Sequence, residues 1–304
     1  VTGSATFDGP VGFVGLGTMG LPMACNLLRK GTSLVVHDLS RGAVEAAVAA
    51  GARPASSVAQ LAHEADVVIT MLPSEAAVRS VALGADGLIR AMRPGGVHVD
   101  MSTVEPHTSR EIAAALAASG IFMLDAPVSR GHEAAIAGTL SVMAGGERAV
   151  FDRVLPLLFA MGTDVFHCGP AGTGSLFKVV NNAIVATTAC AVAEALVVGV
   201  KAGADLGALL PVLRASSSNS FVLEKFFERK ALRGDFEPGG SIDIVAKDLE
   251  LALGVASEHR VAAPMAGLGY QLYAILRGQG HGGRDFASVI TLAEDAAGVR
   301  ARLG

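Results

Sequence analysis

The stretch VGFVGLGTMG, residues 11–20, decides how the first half of the chain is read. Val11 to Val14 is a short apolar run of the kind that forms a buried strand. It runs into Gly15-Leu16-Gly17-Thr18-Met19-Gly20, a G-x-G-x-x-G, and Thr18 to Lys30 continues with helical character. In a chain with 37 glycines the pattern alone says little. Between a strand and a helix it predicts a loop that cradles a pyrophosphate. Gly15 permits the tight turn, Gly17 lets the backbone approach the phosphates, and Gly20 lets helix and strand pack closely. Leu16, Thr18 and Met19 complete the loop, and the helix N-terminus offers N–H groups to an anion.

Outward from that loop, strand-like and helix-like runs alternate. Residues 34–37, 66–71, 96–100 and 121–125 read as strands, and residues 41–50 and 105–119 as helices. Alternation of this kind predicts an α/β, Rossmann-like, doubly wound parallel sheet. Residues 140–144 and 163–167 read as two further strands at its edge. Beyond Gly169 the strands stop. Helical runs follow at 174–202, 205–215, 219–230, 241–258, 264–278 and 285–302, so the second half reads as all-α. Gly169-Pro170-Ala171-Gly172 is a breaker cluster. The expected division is a loose arm over 1–9, a dinucleotide-binding domain over 10–170, and an all-helical substrate and oligomerisation domain over 171–304.

Composition limits the classes. A chain of 304 residues is long enough for two domains. It is 51% hydrophobic but only 5% aromatic, so its interior is built of Ala, Val and Leu, which suits helices on a parallel sheet. A net charge of −4 without a Lys/Arg cluster argues against a nucleic-acid partner. Cys25, Cys168 and Cys190 are few and widely spaced, as in a reducing cytoplasm, and no signal peptide opens the sequence. Ala183 to Val200 is apolar enough to test a membrane reading. Thr187, Thr188 and Glu194 interrupt it, so a helix buried within the protein or between subunits is expected, with no membrane partner. The same helix predicts a homodimer or homotetramer. No metal is expected: the histidines lack ligand spacing, and His132-Glu133 has no partners nearby in sequence.

Candidate site residues fall at strand ends and on the long helix. Asp38 closes the second strand, where a carboxylate hydrogen-bonds a ribose 2′-OH and repels a 2′-phosphate, favouring NAD over NADP. Arg41 offers the opposite option, and Asp38 also reads as a residue opening the next helix. Met71-Leu72-Pro73-Ser74 and Asp100-Met101-Ser102-Thr103 end two other strands at the ligand-binding edge of such sheets. Ser102 and Thr103 also read as an N-cap for the helix at 105–119. Lys178 and Asn182 stand four residues apart and share a helix face. A lysine among apolar neighbours is poorly solvated, which favours its neutral form and suits proton transfer. A snorkelling lysine is the bland alternative. Lys247-Asp248 lies on a further apolar helix and reads equally as a surface pair.

GLGTMG, MLP, DMST, DAPVSRG with AGTLSVMAGG, GTGSLFKVVNN and AKDLELA occur in that order, and together they resemble the β-hydroxyacid dehydrogenase family over about residues 10–300. The resemblance implies a Rossmann-like domain, a long interdomain helix and a helical domain that pairs subunits. It implies reversible oxidation of a small 3-hydroxy acid to its 3-oxo acid with an NAD or NADP cofactor. Lys178 matches the catalytic lysine. Ser129, Arg130 and Gly131 match the substrate-binding turn, and Asn182 and Asp248 the substrate side. Leu72, Pro73, Thr103 and Lys247 match the cofactor side. The family's turn is Ser-Gly-Gly, whereas Arg130 stands at its centre here. That guanidinium adds a grip for a longer or doubly charged acid, folds outward as a solvated side chain, or blocks the pocket. Asn219, with Ser217, Ser218, Ser220, Ser241 and Asp243, resembles the threonate branch of the family, and helix capping is the alternative for these residues. A non-catalytic dinucleotide-binding oligomer is the competing class.

Overall fold

The computed structural model describes residue 7 and residues 9–303. The chain divides into two compact units that meet at Lys178 and Val179. That division lies inside the long helix, beyond the breaker cluster, because the first turns of the helix are bonded to the sheet of the first unit.

The first unit holds a nine-stranded sheet. Its strands are β1 (Val11–Val14), β2 (Leu34–His37), β3 (Arg53–Pro54), β4 (Val67–Thr70), β5 (Val97–Asp100), β6 (Phe122–Asp125), β7 (Val128–Ser129), β8 (Leu140–Gly145) and β9 (Gly162–Gly169). The order is β3-β2-β1-β4-β5-β6-β8-β7, with β9 paired to β8. The first six are parallel, and the order reverses between β1 and β4. That reversal opens a crevice at the carboxyl edge, where the loop 15–20 leaves β1. Alternate residues feed two cores. Val67 and Ile69 enter one and Val68 the other, so both faces are covered and the strands read as continuous apolar runs. Gly12 belongs to this packing, since a Cβ there would stand 2.2 Å from Leu61 Cδ2.

The last strands depart from the all-parallel expectation. β8 runs antiparallel to β6 and β7, and β9 parallel to β8. Residues 130–139 between β7 and β8 are too few for a crossover, which takes about a dozen residues or more. Sequence reading passed over four helices: Gly131–Ala137 and Arg148–Met161, which pack on these strands, Val58–Glu64, which packs on β1 and β2, and Glu75–Leu83.

The second unit is helical. Leu206–Ala215, Ile242–Glu258 and Pro264–Gly278 follow the long helix Thr173–Lys201. The run at 219–230 is a π-helical turn over Leu223–Glu228. The last run is a 3₁₀ turn, Phe286–Val289, and a helix, Ile290–Ala297, which Gly298 ends at φ 68°. Among the described residues Thr173–Lys201 is the helix long and apolar enough to cross a membrane. Its Ala186, Ala189, Cys190, Ala193, Leu196 and Val197 lie in the core of the helical unit, which makes it a core helix.

Candidate active site

The loop after β1 has the geometry of an anion cradle. Gly15 takes φ +95°, and a Cβ there would stand 2.3 Å from Met71 O. A Cβ on Gly20 would stand 1.9 Å from Gly15 O, so helix and loop close only on glycine. Above Gly17 a Cβ would meet nothing within 4 Å, which leaves room for a ligand against the backbone. Met19 precedes the helix Gly20–Arg29 and gives it no side-chain cap, so the amides of the first turn suit phosphate oxygens. Asp38 holds the loop from β2. Its Oδ2 accepts the Leu16 N–H at 2.6 Å and its Oδ1 the Ser40 N–H at 2.6 Å. Arg41 is exposed and paired with Glu45 at 2.8 Å.

The ends of β4 and β5 are tied by a buried polar network. Ser102 Oγ donates to Asp100 Oδ1 at 2.6 Å and accepts the Leu72 N–H at 2.9 Å. Thr70 Oγ1 donates to the same carboxylate oxygen at 2.8 Å. His98 Nε2 lies 2.9 Å from Thr70 Oγ1. Because the threonine proton goes to Asp100, His98 must donate through Nε2. Burial holds its imidazole below the ordinary histidine range, which keeps it neutral. Ser102 therefore joins the Leu72-Pro73 and Thr103 loops. It does not cap the following helix, which starts at Pro106 after Glu105 without a side-chain cap.

Arg130 is one of two described non-glycine residues with positive φ, at 89°, and Gly131 follows at 76°. This is the backbone the family's glycine would adopt freely, and it strains an L-residue by about 1 kcal/mol. The guanidinium folds away along the sheet edge. Its Nη1 donates to Asp164 Oδ2 at 2.6 Å, to Thr139 O at 3.1 Å and to Thr163 Oγ1 at 3.2 Å. Arg130 thus ties the turn to β9, and Ser129 sits beside Ser141 on β8.

Asp125, at the end of β6, is a residue that sequence reading missed. It is 1% exposed, and it accepts the Gly172 N–H on Oδ1 and the Ser175 N–H on Oδ2, both at 2.7 Å. It therefore caps the helix that carries Lys178. The available signal was a carboxylate directly after the apolar Ile121 to Leu124. Burial raises its pKa from 3.8 to about 6, against the opposing pull of the Ser175 and Gly172 amides. The native state thus binds this proton more tightly than the unfolded chain. Its contribution to stability is fully present below the unfolded pKa and is lost as pH rises through about 6. Urea melts of the wild type and Asp125→Asn are expected to differ with pH. Between pH ~5 and ~7.5 the wild type should lose about 1 kcal/mol relative to the variant. A difference independent of pH would contradict this assignment.

Lys178 is 9% exposed and lies one turn beyond Ser175, on the same buried face as Val179. In the helical unit, Asn182 Nδ2 donates to Asp248 Oδ2 at 2.5 Å. The carboxylate only accepts, so it fixes which end of the Asn182 amide faces it. Lys247 Nζ lies 3.2 Å from Asp248 Oδ1. Asn219 is exposed and donates to Glu224 at 2.8 Å. Ser220 and Ser241 accept N–H groups that start helical turns, and Asp243 pairs with Arg277, so capping and ion pairing account for these groups.

Known proteins match the chain over nearly its whole length. Residues 10–169 match the model of the NAD-binding domain of 6-phosphogluconate dehydrogenase, and residues 172–293 that of the NAD-binding of NADP-dependent 3-hydroxyisobutyrate dehydrogenase. A 2-(hydroxymethyl)glutarate dehydrogenase of Eubacterium barkeri is 38% identical, over 95% of this chain and 96% of that one. The chain belongs to the β-hydroxyacid dehydrogenase family. An NAD-dependent L-serine dehydrogenase of Pseudomonas aeruginosa is 40% identical over 95% of this dehydrogenase and 99% of its own length. The structure of Mycobacterium tuberculosis 3-hydroxyisobutyrate dehydrogenase with L-serine superposes with a TM-score of 0.86 at 33% identity, covering 93% and 98% of the two chains. The first unit of this dehydrogenase is thus an NAD(P)-binding domain.

Proposed function

We propose that this NAD(P)-dependent oxidoreductase, which acts on a CH–OH group, interconverts a small 3-hydroxy acid and its 3-oxo acid with Lys178 as general acid–base. The observation that carries the role of Lys178 is its burial on a helix whose first turn is bonded to Asp125. When bound, the nicotinamide supplies the hydride acceptor or donor. On oxidation the Lys178 amine takes the hydroxyl proton, and on reduction the ammonium returns it and stabilises the developing alkoxide. Ser129 and the backbone of Gly131 hold the substrate carboxylate, and Asn182, oriented by Asp248, holds the reacting oxygen. The loop 15–20, Leu72, Pro73, Thr103 and Lys247 serve the cofactor. The position of Asp38 directly after β2 and the pairing of Arg41 with Glu45 support NAD as the preferred form.

The test is nicotinamide reduction over 3-hydroxyisobutyrate, L-serine, threonate and 2-(hydroxymethyl)glutarate, with NAD and NADP in parallel. Turnover of at least one acid, faster with NAD, is expected. Because Arg130 is engaged with Asp164, Arg130→Gly is expected to leave kcat/KM within about threefold. A large rise in KM confined to the dicarboxylate would assign the guanidinium to substrate. Silence across the panel with tight NAD binding would favour the non-catalytic class.

Val180, Ile184 and Val198 on the long helix, with Met265 and Leu268, expose apolar surface on the helical unit. A second copy of the chain covers such a face. Sedimentation at micromolar concentration is expected to give a dimer or tetramer, and a monomer would refute this. The three unpaired cysteines fit a reducing cytoplasm.

A further inference from the structure

We propose that Asp125 is the positioning residue for Lys178 and fixes the spacing between that lysine and the Ser129–Gly131 turn; the proposal rests on Lys178 being the proton-transfer group.

Both carboxylate oxygens of Asp125 are taken by backbone amides of the helix start, Gly172 on one and Ser175 on the other. Asp125 is therefore a joint between strand and helix, with both of its acceptors committed. Ser175 is held a second time, through its hydroxyl, which lies 2.9 Å from that of Ser109. One turn separates Ser175 from Lys178, so a shift of the first turn moves the lysine with it. In the opposite direction, Ala126-Pro127 leads directly from Asp125 into β7 and Ser129. One side chain thus links the two parts of the proposed site.

The joint is closely packed. A Cβ on Gly174 would stand 2.2 Å from Met143 O and 2.4 Å from Asp125 O. A Cβ on Gly145 would stand 2.7 Å from Asp125 Oδ1 and 2.8 Å from Gly174 N. Glycines on both sides let the helix start sit directly on the ends of β6 and β8. A small misplacement of a reacting group is enough to cost about 10²-fold in rate.

The experiment compares Asp125→Asn, Gly174→Ala and Lys178→Ala with the wild type. It uses steady-state kinetics with 2-(hydroxymethyl)glutarate and L-serine, and NADH binding by fluorescence. Asn keeps one acceptor but turns an amide N–H₂ towards a donor, so the joint loosens without a change of volume. Asp125→Asn is expected to lower kcat by about tenfold or more, with both KM values and NADH affinity within about threefold. Gly174→Ala displaces the joint with Asp125 intact and is expected to do the same, which keeps the test open if the first variant does not fold. Wild-type kcat in Asp125→Asn beside an inactive Lys178→Ala would overturn this proposal and leave the role of Lys178 standing. Full turnover in Lys178→Ala would overturn both.

Discussion

Lys178→Ala is expected to lower kcat by about 10²–10⁴-fold while NADH affinity stays within about threefold. The range is that of a positioned general acid–base, and the group removed is the amine on the buried face of the long helix. The dinucleotide loop leaves β1, and its contacts run to Asp38 and Met71. Truncating Lys178 therefore leaves the cradle intact. The measurement is single-turnover hydride transfer followed by nicotinamide absorbance, with NADH binding read separately. Hydroxylamine or methylamine added to the variant supplies a diffusible base, and partial rescue would tie the loss to proton transfer. A variant that retained full kcat would remove the lysine from the chemistry and place the proton transfer on another group.

The second large effect lies in the loop. Gly20→Ala places a methyl group 1.9 Å from Gly15 O and 3.2 Å from Phe13 Cε1. Nothing at those positions is a flexible side-chain end, so the loop must open. The expected result is a stability loss of about 1–3 kcal/mol together with a fall in NADH affinity of about tenfold or more. Gly17→Ala separates the two effects, because a methyl group there meets nothing within 4 Å of protein. It is expected to keep the wild-type Tm and still weaken NADH, since the space it fills is the space the phosphates approach. Differential scanning fluorimetry with and without NADH reads both quantities. Unchanged NADH binding in both variants would remove the phosphate-cradle reading.

Much of the architecture was legible because its causes are local. A strand buried on both faces is mostly apolar, so β1, β2, β4, β5 and β6 announced themselves, and the glycine spacing after β1 is a backbone requirement written in residue types. The long helix was legible from its length and apolar run. The antiparallel turn of β8 was not, because it follows from the shortness of residues 130–139 and from register, which no single residue carries. The helices at 75–83 and 148–161 were passed over because their patterns are interrupted by charged residues that face solvent.

The same division runs through the site. By itself the sequence determined the residue types on which the proposed chemistry rests: the glycines of the loop, Asp38 at the end of β2, Ser129 in its turn, and Lys178 with Asn182 on one helix face. Tertiary structure alone decided the partners. It put Asp38 on the Leu16 amide, Arg130 on Asp164, Ser102 between two strand ends, and Asp125 at the start of the lysine's helix. Each of these is a hydrogen bond between groups distant in sequence. Its existence depends on strand order and on a fit of a few tenths of an ångström, and neither is encoded in the identity of one residue.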